Sequence, residues 1–259
     1  MKTIAIASFK GGVGKTTTAI NMAAILATEH DKRVLLVDAD GQANATKSLL
    51  PVREQEPALT LTDFFRADLP DMWRQYVSPT TFRGLDIIPG DSSLWALEMS
   101  GGVRNNLLRD MRNAIMETDA YDFIIIDCPT GVPIGTVAGL LAANEVIIPA
   151  QLGGYAEDGA MEMVSQVEGF RTANPDIRVG GVLLTKWAKS DHSIRHERAL
   201  RERYGINVYS TNVRYSGKVP ESTGNNTTVS AYSPRSAAAV DYRRFVREYL
   251  GGEEAGKNG

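Results

Sequence analysis

A short glycine-rich run near the amino terminus constrains this chain more than any other segment. Residues 10–18 read Lys-Gly-Gly-Val-Gly-Lys-Thr-Thr-Thr, after a β-rich segment at 3–8 and before an apolar helical pattern at 19–26. Strand, glycine loop and helix in this order are typical of a phosphate-binding loop, because the loop turns backbone N–H groups towards a phosphate at the start of the helix. The run predicts a nucleotide-binding protein, against the alternative of a glycine turn with a chance lysine.

The motif assigns contacts to individual residues. Lys15 is expected to reach the β- and γ-phosphates, and Thr16 to place its hydroxyl on Mg²⁺. The predicted cofactors are therefore ATP and Mg²⁺. The residues expected to bind the nucleotide are Gly11, Gly12, Val13, Gly14, Lys15, Thr16 and Thr17.

An additional lysine distinguishes this loop from the common pattern G-x-x-x-x-G-K-[ST]. Phe9 stands where that pattern has its first glycine, and Lys10 precedes the two glycines. A second cation so close to a triphosphate could neutralise charge in its own site or extend to the phosphates of a neighbouring subunit. The segment resembles the deviant Walker A ATPases, whose signature lysine (here Lys10) crosses a dimer interface onto the partner's ATP. Within that group, the run FKGGVGKTTTAINMA is most similar to ParA-type partition ATPases.

Composition limits the class of protein. A chain of 259 residues with 43% hydrophobic residues can build one large core. We expect neither a membrane span nor a signal peptide, and no helix-turn-helix domain before the phosphate-binding loop. The single cysteine, Cys128, excludes an internal disulfide and fits a reducing compartment. The expected location is the cytoplasm.

Apolar runs alternate with helix-length amphipathic stretches along the chain. The runs lie at 33–37, 85–88, 123–126, 146–148 and 179–184, and helical patterns lie at 102–118, 156–172 and 193–204. Nearly continuous apolar strands are typical of a sheet buried on both faces. The sequence predicts an α/β fold: a single-domain, mostly parallel sheet with helices on both faces. The predicted ATPase domain is 1–250, followed by a disordered tail at 251–259.

Two carboxylates follow the second predicted strand. Asp38 and Asp40 flank Ala39, so their side chains should face the same way at the strand end. A helix N-cap at Asp40 or Asn44 is the structural alternative. The run DADGQANAT resembles the family's switch I segment DxDPQGNAT, with two substitutions in the loop. By that resemblance, Asp40 would position or activate the attacking water, and Asp38 would support the Mg²⁺ shell.

An aspartate ends a third apolar strand. Asp127 follows 123–126, which is the position of a Walker B carboxylate that holds Mg²⁺ directly or through water. The alternative is an ordinary strand-ending turn. The following run, DCPTG, differs from the family's usual DCPPS at its fourth and fifth positions. The predicted metal-binding residues are Thr16, Asp38 and Asp127, and the predicted catalytic residues are Lys10, Lys15 and Asp40.

The pattern lacks the residues of acid–base catalysis. We find no general-base histidine, no G-x-S-x-G elbow and no paired glutamates, so catalysis should rest on positioning and charge. Slow intrinsic hydrolysis is expected, with a partner completing the site.

Charge is divided unevenly along the chain. The net charge is −3, but residues 186–247 contain 12 Lys/Arg against 5 Asp/Glu and so carry +7, which leaves −10 elsewhere. The structural alternative is that these basic residues lie on an exposed helix face and form salt bridges there. Resemblance to partition ATPases instead favours non-specific binding to double-stranded DNA through phosphate contacts. The candidate DNA-binding residues are Arg198, Arg214 and Arg235.

The resemblance continues nearly to the C-terminus, through runs such as ANEVIIPAQLGGYAEDGA and YSPRSAAAVDYRRFV. One departure is Tyr209-Ser210-Thr211, where the family usually has an Ile-Pro-Arg turn near the adenine. The resemblance implies an ATP-bound homodimer that binds nucleoid DNA and is released when a ParB-like centromere-binding protein stimulates hydrolysis. The alternatives are a MinD-like ATPase that positions a cargo on a membrane or protein assembly, a small-molecule ligase and, against the single cysteine, an iron–sulfur reductase.

Overall fold

A seven-stranded sheet forms the centre of the molecule. The computed structural model describes residues 1–50, 59–100, 104–152, 156–203 and 207–257. Within them the strand order is β3-β4-β2-β5-β1-β6-β7, parallel throughout except for β3 against β4. The strands are β1 Lys2–Ser8, β2 Val34–Asp38, β3 Ser78–Pro79, β4 Leu85–Ile88, β5 Phe123–Thr130, β6 Glu145–Ala150 and β7 Arg178–Leu184.

Helices connect successive strands and cover the sheet. A 3₁₀ helix at Pro70–Tyr76 accompanies them. The α-helices are α1 Lys15–Glu29, α2 Asn44–Leu49, α3 Leu61–Ala67, α4 Ser93–Ser100, α5 Leu107–Met116, α6 Ile134–Ala142, α7 Ala156–Phe170, α8 Asp191–Arg203, α9 Lys218–Gly224, α10 Val229–Tyr232 and α11 Ala237–Lys257.

The two faces of the sheet belong to two separate hydrophobic cores. Along β1, Ile4 and Ile6 pack into the core that contains α1 and α11, while Ala5 and Ala7 pack into the core that contains α5, α6 and α7. This division follows from the alternation of side chains along a strand. A parallel strand covered on both faces must be apolar at every position, which is why its sequence is a continuous apolar run. The predicted single-domain α/β fold with helices on both faces is confirmed.

The predicted strands correspond to β1, β2, β4, β5, β6 and β7. The bounds of β4 agree with the prediction, and the others differ by one to four residues at one or both ends. Edge strand β3 has only two residues, too few to produce a sequence pattern. The helix expected at 102–118 is α5, from Leu107, although 101–103 lie outside the described residues.

The predicted disordered tail needs a correction. α11 continues past Leu250 to Lys257, and only 258–259 lie outside the described residues. The two glycines at 251–252 cost about 1 kcal/mol each in a helix interior. An established helix propagates more easily than a new one nucleates, and Glu253, Glu254 and Ala255 favour the helical conformation.

The topology brings three strand ends together. β1 lies between β5 and β6, and β2 pairs with the other edge of β5. Asp127 is therefore in register with Ile6 on one side and with Asp38 on the other. Ligands of such sheets bind at the carboxyl ends of the strands. Among the described residues, no helix combines the length and apolar character needed to cross a membrane.

Candidate functional site

The glycine loop is shaped to present backbone amides. Gly12 and Gly14 have φ of 72° and 87°, a left-handed conformation that glycine adopts without steric cost. α1 begins at Lys15, its N-cap Gly14 offers no side-chain hydrogen bond, and its first turn contains no acidic residue. The first N–H groups of the helix are therefore available to an anion, and the helix dipole favours negative charge there.

Two lysines of this loop differ in burial. Lys15 is only 7% exposed, and its Nζ donates to Thr130 Oγ1 at 2.8 Å and to the carbonyl of Lys10 at 3.4 Å. Burial lowers the pKa of Lys15, although Asp127 and Asp40 act in the opposite direction. The Lys10 side chain is exposed. One cation thus faces the interior of the site and the other faces solvent.

Asp127 is buried without a hydrogen-bond partner. It is 0% exposed, and neither carboxylate oxygen has a partner among the described residues. Burial, followed by the charge of Asp38, raises the pKa of Asp127 well above its usual range, while Thr16 acts to lower it. A buried carboxylate is costly unless a cation compensates it. Carboxylate and hydroxyl oxygens are the ligands that Mg²⁺ prefers, so Asp127 and Thr16 fit this ion.

Asp38 is also buried, but its oxygens are in use. Oδ2 accepts the backbone N–H and the hydroxyl of Thr46 at 2.8 and 2.7 Å, and Oδ1 accepts the N–H of Asp40 at 3.3 Å. Burial raises the pKa of Asp38 to about 6, against the effect of these hydrogen bonds. The Thr46 hydroxyl in turn accepts the N–H of Gly90 at 2.9 Å. In this structure Asp38 holds the loop between β2 and α2; its support of the Mg²⁺ shell stays a prediction.

Asp40 lies at the tip of that loop. Its Oδ1 accepts the N–H of Gln42 at 2.9 Å, and its carbonyl accepts the N–H of Ala43 at 2.8 Å. Ala43 has a φ of 51°, a conformation that costs a non-glycine residue about 1 kcal/mol. The turn leaves Asp40 half-buried and facing the cavity beside the glycine loop.

That cavity has the size of a ligand site, with a volume of about 600 Å³. One end is formed by the glycine loop together with Asp40 and Thr130. The rest of the lining is formed by Gln42, Asn44, Thr185, Lys186, Val213, Arg214, Tyr215, Ser216, Val219, Pro220, Thr223 and Tyr242.

The segment that departs from the family does not line this cavity. Tyr209 packs against Phe245 with ring centroids 4.9 Å apart, and the amides of Ser210 and Thr211 donate to Glu248. The residues that follow this segment, Val213, Arg214, Tyr215 and Ser216, line the cavity instead.

The three candidate DNA-binding arginines occupy different environments. Arg214 lines the cavity, and its guanidinium pairs with Asp241 at 2.7 Å. The Arg198 side chain is 74% exposed on α8, 3.8 Å from Glu202. Arg235 is exposed in the loop before α11. The Arg214 side chain is 45% exposed despite this ion pair, so all three arginines reach solvent. DNA binding by any of the three stays a prediction.

Three residues of the site carried no assignment from the sequence. Thr130 holds Lys15, Thr46 holds Asp38, and the indole of Trp95 lies against Gly41 in the Asp40 loop. Thr130 is the fourth residue of DCPTG, one of the two positions that differ from the family pattern. That difference was the sequence signal by which Thr130 could have been singled out. Nothing in the sequence around Trp95 indicates this contact, because its partner lies 54 positions earlier in the chain.

Comparison with known proteins identifies the family. A family model described as an AAA domain matches residues 1–179. The chain is 33% identical to the chromosome partitioning protein ParA of Caulobacter vibrioides over 258 residues, which are 98% of this chain and 95% of that protein. It is also 33% identical to the sporulation initiation inhibitor protein Soj of Bacillus subtilis, covering 95% of this chain and 97% of that protein.

Among solved structures, cobyrinic acid a,c-diamide synthase from Mycobacterium smegmatis, with bound ADP and magnesium, superposes with a TM-score of 0.80 and 26% identity. The match covers 99% of this chain and 96% of that one. The glycine loop with its additional lysine, the strand-end carboxylates and these full-length similarities agree: the chain belongs to the ParA-type family of P-loop partition ATPases.

Proposed function

We propose that this protein is a Mg²⁺-dependent ATPase that partitions DNA, and that its ATP-bound homodimer binds double-stranded DNA without sequence preference. The observation that supports it best is the pairing of a buried and an exposed lysine on one glycine loop, Lys15 and Lys10, beside Asp40. A single-subunit phosphate site needs only the buried lysine. We infer that the exposed lysine contacts the nucleotide of a second molecule.

The reaction would proceed by positioning and charge. Lys15 leaves Thr130 to bind the β- and γ-phosphates, and the N–H groups at the start of α1 hold the remaining phosphate oxygens. Thr16 and Asp127 would hold Mg²⁺, which when bound would supply positive charge against the phosphates. Asp40 orients the attacking water. The site has no strong general base, so unstimulated hydrolysis should be slow.

The partners follow from the charge distribution and from the family. Residues 186–247 carry +7 in a chain of net charge −3, which suits contact with DNA phosphates on one face. Curated relatives are chromosome partitioning proteins, so the proposed stimulating partner is a ParB-like centromere-binding protein. In the cell, such a protein would be cytoplasmic and associated with the nucleoid.

The primary test is binding to non-specific double-stranded DNA with ATP, with ADP and without nucleotide, at two salt concentrations. Lys10→Ala is compared with Lys32→Ala. Lys32 precedes β2 and therefore lies at the amino ends of the parallel strands, whereas the glycine loop lies at their carboxyl ends. We expect ATP-dependent, salt-sensitive binding that Lys10→Ala abolishes and Lys32→Ala retains. Equal binding by the two variants would contradict the role of Lys10 in the dimer.

Asp40→Ala tests the hydrolytic step. The variant should bind ATP and DNA but release DNA slowly, because the dimer is no longer dissolved by hydrolysis. Phosphate release at the wild-type rate would show that Asp40 does not act on the water. Sedimentation with anionic lipid vesicles and ATP provides the control for the alternative: co-sedimentation without DNA binding would favour a MinD-like positioning ATPase.

A further inference from the structure

The indole of Trp95 lies directly against the backbone of the Asp40 loop. A Cβ atom at Gly41 would lie 2.6 Å from Nε1, 2.8 Å from Cε2 and 2.9 Å from Cδ1 of this indole. Such distances are shorter than any real carbon contact, so the ring occupies the space where a side chain at position 41 would stand. The backbone of Gly41 is outside the left-handed region. The glycine is therefore required by the indole, not by its own φ.

The position of Trp95 is fixed by the helix that carries it. On α4, Leu94 and Leu97 are 3% and 9% exposed and pack in the core. Trp95 is 47% exposed, and its indole lies against Gly41. Before the helix, Gly90 donates to Thr46, the same residue whose hydroxyl binds Asp38. α4 and the Asp40 loop are thus joined at two points.

A second cavity lies beside this contact. It has a volume of about 370 Å³ and is lined on one side by Trp95 and on the other by Thr130, with Asp40 on its wall. Asp40 and Thr130 also line the nucleotide cavity. The Asp40 loop therefore borders both spaces, and the indole lines the second of them beside Gly41.

We propose that Trp95 is a positioning residue for hydrolysis: its indole holds the backbone of Gly41 so that Asp40 points at the phosphate end of the nucleotide cavity. This inference rests on the proposed role of Asp40. Reaction rates are sensitive to displacements of about 1 Å at a water-positioning group, while ground-state binding of the phosphates by the glycine loop is not affected by them. Loss of the indole should lower kcat and leave the KM for ATP unchanged.

A double-mutant cycle between positions 95 and 41 tests the contact. Trp95→Ala should lower kcat about tenfold, and Trp95→Phe, which keeps a ring over Gly41, should recover most of the loss. Gly41→Ala alone should lower kcat similarly, because its Cβ displaces the indole. In the Trp95→Ala background, Gly41→Ala should have no further effect, since the space is then empty. Met99→Ala, a 90% exposed residue on the same helix, is the matched control and should keep wild-type kcat.

The outcomes separate this inference from the proposed function. If Asp40→Ala abolishes hydrolysis but Trp95→Ala keeps kcat within twofold of wild type, the positioning role is wrong and the function stands. Additive effects of the two substitutions would also overturn it. If Asp40→Ala hydrolyses ATP normally, the role of Asp40 and this inference both fail. Thermal unfolding of every variant checks that the fold is intact, and Gly41→Ala provides the test should Trp95→Ala unfold.

Discussion

The nucleotide end of the sheet and the basic stretch at 186–247 both concentrate charge, but they hold it in different ways. At the nucleotide end, Lys15 is buried at the start of α1, and Asp38 and Asp127 are buried at the ends of parallel strands. Neither oxygen of Asp127 has a close hydrogen-bond partner among the described residues. In the basic stretch, Arg214 pairs with Asp241, and Arg198 stands in solvent beside Glu202.

The two regions differ in burial and in whether the protein itself provides partners for its charged groups. Burying a charge without a partner is unfavourable, and fold stability alone gives no reason to retain it. A buried carboxylate without a close hydrogen bond, such as Asp127, therefore points to a ligand. An exposed arginine costs little whether or not it binds anything, so its presence says little about function. Charged residues are therefore informative about function at the nucleotide end and much less so in the basic stretch.

Lys15→Ala should produce the largest effect and tests the nucleotide end. Removing a buried donor aimed at developing charge costs about 10²–10³ in kcat. Phosphate release measured with saturating ATP should fall by that range, while the apo protein keeps its unfolding temperature, because the lysine's burial is unfavourable without nucleotide. An apo protein strongly destabilised by this change would mean that Lys15 mainly supports the fold.

Arg214→Ala should behave as a structural change, although Arg214 belongs to the basic stretch. It removes the guanidinium that donates to the carboxylate of Asp241, whose side chain is only 3% exposed. The backbone N–H at position 214 and the Arg244 guanidinium, 3.9 Å away, stay as partners of that carboxylate. Urea unfolding should therefore show a loss of about 1 kcal/mol, the size of a typical net hydrogen bond. Arg214→Lys should retain part of the stability. A variant of wild-type stability with weakened DNA binding would instead place Arg214 in the DNA interface.

Arg198→Ala should leave stability within about 0.5 kcal/mol of wild type, as for other exposed sites. If Arg198 contacts a DNA phosphate, the slope of log affinity against log salt should become shallower by about 1. Arg171→Ala is the matched control, because Arg171, in the turn directly after α7, is also an exposed arginine paired with a nearby glutamate, Glu168. Equal salt slopes for the two variants would reduce Arg198 to a solvated surface residue.

Glu248 should give the smallest effect, through pH. Burial would raise its pKa, but hydrogen bonds from the amides of Ser210 and Thr211 outweigh burial and lower it below the usual value. A lowered pKa contributes stability that is present above the unfolded-state value of about 4.5 and is lost as pH falls through the folded-state value. Thermal unfolding of wild type and Glu248→Gln should therefore converge as the pH falls through the folded-state pKa of Glu248. Parallel curves would contradict this.

The fold was predictable to the extent that its strands are buried on both faces. Runs such as 123–126 are continuously apolar because helices cover both sides, so their sequence identifies them without knowledge of any partner. The two-residue edge strand β3 and the continuation of α11 to Lys257 were not predictable in this way. Both depend on neighbours, through pairing with β4 and propagation from an existing helix.

The features of the site can be divided in the same way, into those that local sequence identifies and those that depend on distant neighbours. The sequence by itself determined the glycine loop, its two lysines and the aspartates at the strand ends, because a phosphate site requires those residue types at fixed local spacing. Only the tertiary structure decided that Asp38 is held by Thr46, that Lys15 rests on Thr130 and that Trp95 fills the space beside Gly41. These contacts join residues brought together by the sheet order and by packing of α4, and local spacing contains no information about such neighbours.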